Sequence, residues 1–386
     1  MRIVYCALDQ RVPGTTGGSV HVSAVAEGLA SLGHEVSVLA TRGAGPAPAG
    51  RARYHSLAPP LGVRHLRLLR AGAVRTFARR ANADVVIERY HNFGGEGVRA
   101  ARAIGAAAVL EVNAPIIDYP GSWKARLDKA ALVEPMRRWR DWQCRHADLI
   151  VTPAAEVLPP FVPRARILET EWGADTDAFA PGASGPVPFA RRRGAVLAVF
   201  AGAFRPWHGA VHLVRAVRQL RLEGQLDIDA VLVGEGPELA PARKEAAGLD
   251  GVTFTGPVAH AEMPACLAAA DLGVAPFDVA AHPPLQLGFY WSPLKVFEYM
   301  ASGLPVVAPA IPRLAGILGP DLASGLYDPN APRGLADALL RLAANRSERE
   351  RMGKVGRERA CREFSWSAHC RRLEEAIAPL ARRRTA

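Results

Sequence analysis

A lysine and a glutamate three positions apart, Lys295 and Glu298, have a spacing that suits a phosphate and an attached sugar. If both stand in one helix, they share a face and are separated by a rise of about 4.5 Å. A cation in the first turn of a helix is unfavourable unless an anion binds between it and the free N–H groups, so Lys295 predicts a phosphate site. Glu298 would then accept hydrogen bonds from a ribose diol. The alternative is an exposed ion pair between the two side chains, which is the commoner outcome of this spacing.

The residues around this pair predict the helix that would position it. Ser292 can cap the N-terminus with its hydroxyl, and Pro293 suits the first helical position because no N–H is needed there. Gly303 can adopt the left-handed conformation that ends a helix. The apolar run at residues 304–308 is typical of a buried parallel strand.

A glycine pair near the N-terminus is a second candidate for ligand contact. Gly17 and Gly18 follow an apolar strand at residues 3–8 and precede a helix that Ser19 can cap and Gly33 can end. The missing side chains would let the backbone approach an anion at the helix N-terminus. The alternative is a plain tight turn.

Polar residues follow two further predicted strands, at residues 84–87 and 107–112. Side chains just past the carboxyl ends of parallel strands line the ligand crevice of α/β sheets. This placement makes acceptor-side candidates of Arg89, His91, Glu111 and Asn113. A lone histidine is more often a structural hydrogen-bonding group than a catalyst, and that alternative stays open.

Residues 64–80 predict an amphipathic helix. Such a helix can sit on an anionic membrane or hold an anionic acceptor, and the alternative is a solvated face over the core. The apolar face would hold Leu66, Leu69, Ala73 and Phe77, and the basic face Arg64, Arg67, Arg75 and Arg79.

The whole chain alternates apolar runs with helical segments, which predicts parallel, doubly wound α/β sheets. Its 386 residues are too many for one ordinary core and suggest two Rossmann-like halves. Strands of the second half are predicted at residues 196–200, 228–233, 252–255 and 272–275. We place a first domain at 1–185, a Pro-, Gly- and Arg-rich linker at 186–194, a second domain at 195–364 and a final helix at 365–386.

Composition limits the classes of function. The net charge of +11 admits phosphorylated ligands or anionic lipid, but no basic cluster interleaved with aromatic residues predicts nucleic-acid binding. No apolar run reaches the ~18 residues of a membrane helix, and the early acidic residue argues against a signal peptide. Five widely spaced cysteines without a Cys-x-x-Cys pair suggest reduced thiols and no metal site. We therefore expect a cytoplasmic protein, with contact at the inner membrane face left open.

The stretch Ser-Pro-Leu-Lys-Val-Phe-Glu-Tyr-Met-Ala-Ser-Gly-Leu-Pro-Val-Val-Ala, which starts at Ser292, resembles the donor-binding helix of retaining glycosyltransferases of family four. These enzymes have the GT-B fold, with two Rossmann-like domains that face a central cleft. In that family, a glutamate matching Glu298 holds the ribose of a nucleotide-sugar. Many members carry an earlier glutamate in a Glu-x7-Glu pattern. Tyr290 stands at that position here, and the departure resembles a subgroup with Ser-Pro-Leu-Lys before the glutamate.

A second resemblance concerns the loop Gly-Ala-Phe-Arg-Pro-Trp-His-Gly at residues 202–209, which is similar to the family's phosphate loop. The usual loop has Gly-Arg and a later Lys-Gly, whereas this chain has Ala203 and His208. Arg205 could supply the missing charge, since arginine is always protonated and can bind two phosphate oxygens at once. The resemblance thus implies that Arg205 and Lys295 hold the diphosphate.

The resemblance also implies roles for residues outside these two motifs. The segments Glu-Arg-Tyr and Glu-Val-Asn-Ala-Pro, at residues 88–90 and 111–115, resemble a family-four subgroup, and the final helix is expected to return to the first domain. The expected activity is metal-independent sugar transfer from a nucleotide-diphosphate-sugar co-substrate, with no other cofactor, to a sugar, lipid-linked or small-molecule hydroxyl. The implied catalytic groups are Arg205, Lys295 and Glu298, and the implied donor contacts are Gly17, Gly18, Gly202, His208, Gly234, Gly256, Pro257, Tyr290, Ser292, Pro293 and Leu294.

Two other classes of protein remain as alternatives. A nicotinamide-dependent oxidoreductase would also have two Rossmann-like domains, but the chain lacks the Gly-x-Gly-x-x-Gly loop and the later acidic residue that this cofactor needs. A non-catalytic sugar-nucleotide-binding protein is the third possibility, because the first glutamate of the Glu-x7-Glu pattern is absent.

Overall fold

The computed structural model describes residues 1–14, 16–46, 48, 50–116, 123–131, 134–282, 285 and 288–385. It divides into two compact units. Unit 1 comprises Met1–Trp172, Tyr290–Ser292 and Trp366–Ala386, and unit 2 comprises Gly173–Phe289 and Pro293–Ser365.

Unit 1 contains a seven-stranded sheet in which every neighbouring pair is parallel. The spatial order β3-β2-β1-β4-β5-β6-β7 reverses its direction between β1 and β4, the type of position where doubly wound folds bind ligands. The strands are β1 (Arg2–Val12), β2 (Glu35–Arg42), β3 (Arg53–Ser56), β4 (Val85–Arg89), β5 (Ala107–Glu111), β6 (Leu149–Thr152) and β7 (Ile167–Glu169).

The helices of unit 1 cover this sheet. They are α1 (Gly17–Ser31), α2 (Ala71–Arg80), α3 (Glu96–Ile104), α4 (Trp123–Ala131) and α5 (Pro135–His146), joined at the end of the chain by α13 (Trp366–Thr385). The last helix shares a core with α1, where Cys370, Leu373 and Ile377 pack among the buried side chains. A Cβ on Gly28 of α1 would clash with the Cys370 sulfur, so the missing side chain permits this close approach.

Unit 2 contains a six-stranded parallel sheet in the order β10-β9-β8-β11-β12-β13, with the reversal between β8 and β11. The apolar runs predicted for the second half all form strands. These are β8 (Val196–Ala201), β9 (Ile228–Val233), β10 (Val252–Gly256), β11 (Leu272–Val274), β12 (Val306–Pro309) and β13 (Leu326–Tyr327). Both units therefore have the doubly wound α/β architecture that the sequence predicts.

The helices of unit 2 alternate with these strands. They are α6 (Ala210–Leu222), α7 (Leu239–Glu245), α8 (Met263–Ala268), α9 (Leu294–Ala301), α10 (Pro312–Leu318), α11 (Gly334–Ala344) and α12 (Arg346–Glu363). None of the described helices, in either unit, is long and apolar enough to span a bilayer.

The cap predicted for the first helix is wrong. Helix α1 begins at Gly17, three residues earlier than expected, and Thr16 is its N-cap, because its hydroxyl accepts a hydrogen bond from the Ser19 N–H at 3.3 Å. Gly17 and Gly18 therefore form the first turn of the helix rather than the preceding loop. Gly33 follows the helix with φ +90°, as the predicted stop requires.

The single amphipathic helix predicted at residues 64–80 is also wrong. Arg64–Arg70 is a 3₁₀ helix and only Ala71–Arg80 is α-helical. A 3₁₀ helix has three residues per turn, so side chains three positions apart eclipse each other and the faces expected from an α-helical period do not form. As a result Arg67 is fully buried, whereas Leu69 is 71% exposed.

Candidate functional site

Helix α9 carries the predicted phosphate ligand Lys295 and the predicted ribose ligand Glu298. It starts at Leu294 with Pro293 as its N-cap residue, so the predicted cap by Ser292 is wrong. Ser292 belongs to unit 1, where its hydroxyl donates to Glu171 at 2.6 Å and accepts from the Trp172 N–H at 2.9 Å. These two bonds occupy the serine hydroxyl, and no side chain in the described part of the chain caps the start of α9.

Lys295 lies in the first turn of α9 and is buried, with 8% of its surface exposed. Its ammonium has no hydrogen-bond partner among the described residues and lies 4.1 Å from the centroid of the Phe200 ring and 5.3 Å from that of Phe277. Burial lowers the pKa of Lys295 to about 7, although the nearby Glu298 carboxylate acts in the opposite direction. The exposed ion pair offered as the alternative is therefore not what the structure contains.

A buried cation without a partner is costly unless a ligand supplies the missing charge. The Lys295 ammonium lies against the backbone of Gly202, the first residue after β8, since a Cβ there would come within 3.2 Å of Nζ. Gly202 has φ +137°, a conformation that other residues rarely adopt. The missing side chain therefore lets the ammonium lie this close to the backbone of Gly202.

Three of the predicted glycines take part in backbone hydrogen bonds between the loops after β8, β9 and β10, and Gly202 among them lies beside this lysine. The Gly202 N–H donates to Val233 at 3.0 Å, and the Gly234 N–H donates to Gly256 at 2.9 Å. A Cβ on Gly234 would clash with the carbonyl oxygen of Gly202. The loops after β8 and β9 can thus approach each other only because Gly234 lacks a side chain, whereas a Cβ on Gly256 would have no neighbour within 4 Å.

His208 and Arg205 come from the same loop and complete the cluster. The Nδ1–H of His208 donates to the carbonyl of Ala203 at 2.5 Å. Burial, with the charges of Lys295 and Arg205, lowers the pKa of His208 to about 3, so the imidazole is neutral near pH 7. Arg205 is exposed, and its guanidinium makes no hydrogen bond or ion pair with any residue that the structure describes. Two cations without partners thus lie close to one neutral imidazole.

Glu298 lies one turn after Lys295 on α9 and is partly exposed. Burial raises the pKa of Glu298 to about 7, while the lysine charge acts against the shift. The carboxylate accepts no hydrogen bond from any described residue, so it remains available to a ligand.

Tyr299 is a positioning residue that the sequence analysis missed. Its hydroxyl accepts from the Ala201 N–H at 2.8 Å, and its ring packs where a Cβ on Gly273 would clash. Helix α9 is thereby fixed to β8 and β11, and Lys295, four residues earlier, lies one turn away from this contact. The only sequence signal was a tyrosine within a buried apolar stretch.

The remaining predicted donor contacts are not all in unit 2. Pro257 is exposed after β10 in unit 2, and Pro293 and Leu294 begin α9. Gly17, Gly18 and Tyr290 belong to unit 1, where Tyr290 is buried beside Trp291, with ring centroids 5.3 Å apart.

In unit 1, the acceptor-side candidates meet at the carboxyl ends of β4 and β5. Glu111 is buried and accepts hydrogen bonds from Arg89 at 2.8 Å, from the Tyr5 hydroxyl and from the Asn113 amide. Burial alone would raise the pKa of Glu111, but His21 and Arg89 hold it well below its ordinary value. Glu111 therefore organises the other polar side chains rather than presenting a free carboxylate.

The four candidates of this group are not equivalent. Asn113 bridges Glu111 and the Trp172 indole, which donates to the amide oxygen at 2.8 Å. His91 lies after β4 and its Nδ1 accepts from the Phe93 N–H at 3.2 Å. Burial lowers the pKa of His91 to about 4, which keeps the imidazole neutral.

His21 is a second residue that the sequence analysis missed. It is fully buried on α1, with Nε2 2.9 Å from Glu111 and its ring 4.3 Å from that of Trp172. His369 of α13 lies beside it, with ring centroids 5.8 Å apart, and its Nδ1 donates to the Glu171 carbonyl at 2.7 Å. A histidine in an otherwise apolar helical face was the available signal.

The sequence contains short motifs of a kind that can bind metal ions. They were overlooked when no metal site was predicted. Asp-x-Asp occurs at 175–177 and 227–229, and His-x-x-x-His at 208–212. Asp175 accepts from the N–H groups of Asp177 and Ala178, Asp229 pairs with Arg192 and Arg221, and His212 lies 3.3 Å from Asp278. No group of three or more possible metal ligands occurs among the described residues.

Unit 2 also contains a cavity of about 430 Å³. Phe277 lines it and also faces Lys295, whereas His212, Asp278 and Tyr327 provide polar groups. Neither Lys295 nor Glu298 lines this cavity, so the cavity is separate from the cluster formed by Lys295, Arg205 and His208.

Both halves of the chain match models of glycosyltransferase domains. Residues 16–161 match the family described as glycosyl transferase 4-like domain, and residues 195–345 match glycosyl transferases group 1. The structure superposes on sucrose-phosphate synthase from Thermosynechococcus elongatus with a TM-score of 0.71 and 20% identity, covering 98% of each chain. It also resembles Anabaena HepE in complex with UDP, with a TM-score of 0.69 and 16% identity, covering 98% of this chain and 100% of that one.

These matches, with the two parallel sheets, show the GT-B fold, and each half of the chain is similar to a glycosyltransferase domain. A curated relative, the MMP alpha-(1->4)-mannosyltransferase of Mycolicibacterium hassiacum, is 34% identical over 217 residues, which are 54% of this chain and 48% of that enzyme. The chain thus spans about half the length of the curated relatives that it matches.

Proposed function

We propose that this protein is a retaining glycosyltransferase that moves a sugar from a nucleoside-diphosphate donor to an acceptor hydroxyl without a metal ion. The observation that carries the proposal is the Lys295 ammonium, which is buried, has no hydrogen-bond partner among the described residues and lies against the backbone of Gly202. A diphosphate would provide the counter-charge that this position lacks. The matches to glycosyltransferase domain families support the same conclusion.

The chemical task is to stabilise the leaving group. When the bond between the sugar and the diphosphate breaks, negative charge develops on the terminal phosphate. Lys295 and Arg205 would neutralise this charge, and the first N–H groups of α9 would add hydrogen bonds. Glu298 would hold the ribose hydroxyls and so fix the donor relative to these cations. The proton of the acceptor hydroxyl would pass to the leaving phosphate, which closes the proton balance without a separate base.

The neutral state of His208 suits a position beside the donor. Because its Nδ1–H is committed to Ala203, its Nε2 carries a lone pair that can accept a hydrogen bond from a sugar or ribose hydroxyl. We assign Arg89, His91 and Asn113 to the acceptor side, with Glu111 holding Arg89 and Asn113 in place.

Ligand-induced shifts in melting temperature test the class of co-substrate. UDP or GDP should stabilise the wild-type protein through binding to the folded state, whereas NADH should not. A shift with NADH alone would favour the oxidoreductase alternative and overturn the proposal. For a donor that is turned over, proton NMR of the first product should show the anomeric configuration of the donor, and inversion would contradict the retaining mechanism.

A further inference from the structure

An exposed apolar and basic surface of unit 1 is not used by the proposed transfer site. It comprises Leu61, Val63 and Leu69 together with Arg64, Arg75 and Arg79, and we call it the 61–79 surface. The exposed fractions are 92% for Leu61, 41% for Val63 and 71% for Leu69. Three of the seven large apolar side chains that are exposed in the described part of the chain thus fall within nine consecutive residues. Exposed apolar residues gathered in this way mark an interaction site.

The 3₁₀ geometry of Arg64–Arg70 directs Leu69 outward. With three residues per turn, Leu66 and Leu69 lie on one row and Arg67 and Arg70 on another. Arg67 faces inward and is held by Asp9 and Glu96, each at 2.6 Å. This buried ion-pair cluster fixes the rotation of the segment, so the leucine row cannot turn into the core.

The backbone at the tip of the segment also favours exposure of an apolar residue. Leu61 has φ +54° and ψ +16°, a left-handed conformation that is uncommon for a residue with a Cβ. Such strain persists only where the surrounding structure imposes it, and it is commonest at functional positions. Here it places the most exposed leucine of the 61–79 surface in solvent.

The charge of this surface has one sign. Residues 57–83 include six arginines and no aspartate or glutamate. Arg64, Arg75 and Arg79 are exposed, and none of them forms an ion pair or side-chain hydrogen bond within the described ranges. On α2, Val74 and Ala78 face the core, which leaves Arg75 and Arg79, one turn apart, on the outer side.

We propose that the 61–79 surface docks on an anionic lipid bilayer, with Leu61, Val63 and Leu69 entering the headgroup region and the arginines contacting lipid phosphates. Apolar side chains combined with basic residues are the combination that binds at such an interface. A nucleic acid, or an acidic protein surface without apolar side chains, would match the charge but would leave the exposed leucines in water. This inference is independent of the sugar-transfer proposal, because none of these residues belongs to the transfer site.

Vesicle co-sedimentation with the full chain tests the inference. The wild-type protein should bind vesicles that contain about 30% phosphatidylglycerol in phosphatidylcholine, and should not bind pure phosphatidylcholine. Binding should weaken as NaCl rises from about 50 to 500 mM, since screening reduces the attraction. Equal binding to both vesicle types, or no binding at the lower salt, would overturn the proposal.

Variants separate the apolar contribution from the charge. Leu61→Ser with Leu69→Ser should lower binding by at least about tenfold, because burial of each leucine would be lost while the charge stays the same. Arg75→Gln with Arg79→Gln should lower it about 25-fold, since each basic residue near an anionic surface contributes a factor of about five. The control Leu222→Ser changes an exposed leucine of unit 2 and should bind like the wild type.

Two results would contradict the lipid assignment. If the leucine variant binds as tightly as the wild type while the arginine variant does not, the surface is a general polyanion site and the proposal fails. If Leu222→Ser loses binding as well, the apolar contact is not confined to the 61–79 surface. Melting temperatures of all variants, measured without vesicles, should stay within a few degrees of the wild type because the changed side chains are exposed.

Discussion

At the scale of single residues, the proposed transfer site depends on a lysine whose charge is poorly solvated. Lys295 faces two aromatic rings and a bare glycine backbone, and its ammonium has no hydrogen-bond partner within the described structure. Burial penalises the charged form in the free protein, whereas a bound diphosphate would favour it. The free protein thus bears a cost that the donor would relieve.

This cost predicts a pH-dependent gain in stability on replacing the lysine. In the unfolded chain the pKa is near 10.5, and burial lowers the pKa of Lys295 to about 7 in the folded protein. The destabilisation is therefore complete below pH 7 and diminishes as the pH rises towards 10.5. Lys295→Met should stabilise the protein by about 2 kcal/mol more at pH 6 than at pH 9, as measured by urea unfolding. A gain that is equal at both pH values would show that the lysine is not charged and buried as described.

Replacing Glu298 should weaken binding of a nucleoside diphosphate without unfolding the protein. Its carboxylate is partly exposed and has no hydrogen-bond partner in the described residues, so Glu298→Gln should weaken binding of a nucleoside diphosphate by roughly 1.5–3 kcal/mol through the ribose. Isothermal titration calorimetry measures this directly. The control Glu358→Gln removes an exposed carboxylate on α12 and should leave affinity unchanged. Unchanged affinity in Glu298→Gln would remove this residue from the ribose site.

At the scale of elements, the site is formed where strands end in glycines. Gly234 lets the loops after β8 and β9 pack backbone against backbone, and Tyr299 fixes α9 to β8 and β11. The apolar strand runs and Gly303, whose φ is +73°, were predictable because local pattern determines them. The contact of Tyr299 with Ala201 joins residues about a hundred positions apart, and no local pattern indicates such a partner.

A pair of glycine variants tests whether the close packing of these loops is needed. Gly234 and Gly224 both have positive φ, at +126° and +76°, but only Gly234 has a neighbouring carbonyl where a Cβ would stand. Gly224→Ala should cost about 1–2 kcal/mol from backbone strain alone, whereas Gly234→Ala should cost about 3 kcal/mol or more. Thermal unfolding measures the difference, and only Gly234→Ala should also weaken binding of UDP or GDP. Similar losses in the two variants would mean that close packing of the loops is not required.

The errors in the sequence analysis share a physical cause. Ser292 and Ser19 were assigned as helix caps on local preference, but the hydroxyl of Ser292 is bound by Glu171 and Trp172, and Thr16 caps α1. Arg67 was placed on a solvated face because an α-helical period was assumed. Its buried partners Asp9 and Glu96 lie far away in sequence, and the short 3₁₀ segment changes which residues face the core.

At the scale of the whole molecule, the chain repeats one architecture without repeating its sequence. Each unit reverses its strand order at one position, β1 and β4 in unit 1 and β8 and β11 in unit 2. The alternating apolar and helical pattern determines this architecture, so the fold was predictable from the sequence. Donor and acceptor identity were not, because they depend on how individual side chains meet.

The central claim is that Lys295 and Arg205 stabilise a departing nucleoside diphosphate without a metal ion. The most direct measurement is the release of nucleoside diphosphate from a panel of nucleotide-sugars in the presence of EDTA, followed by mass spectrometry. The wild-type protein should release nucleoside diphosphate from at least one donor. Lys295→Ala should lower the turnover rate ~10²–10³-fold and should weaken donor binding by a smaller factor. Release that stops in EDTA and returns with magnesium or manganese, or a Lys295→Ala variant as fast as the wild type, would contradict the account.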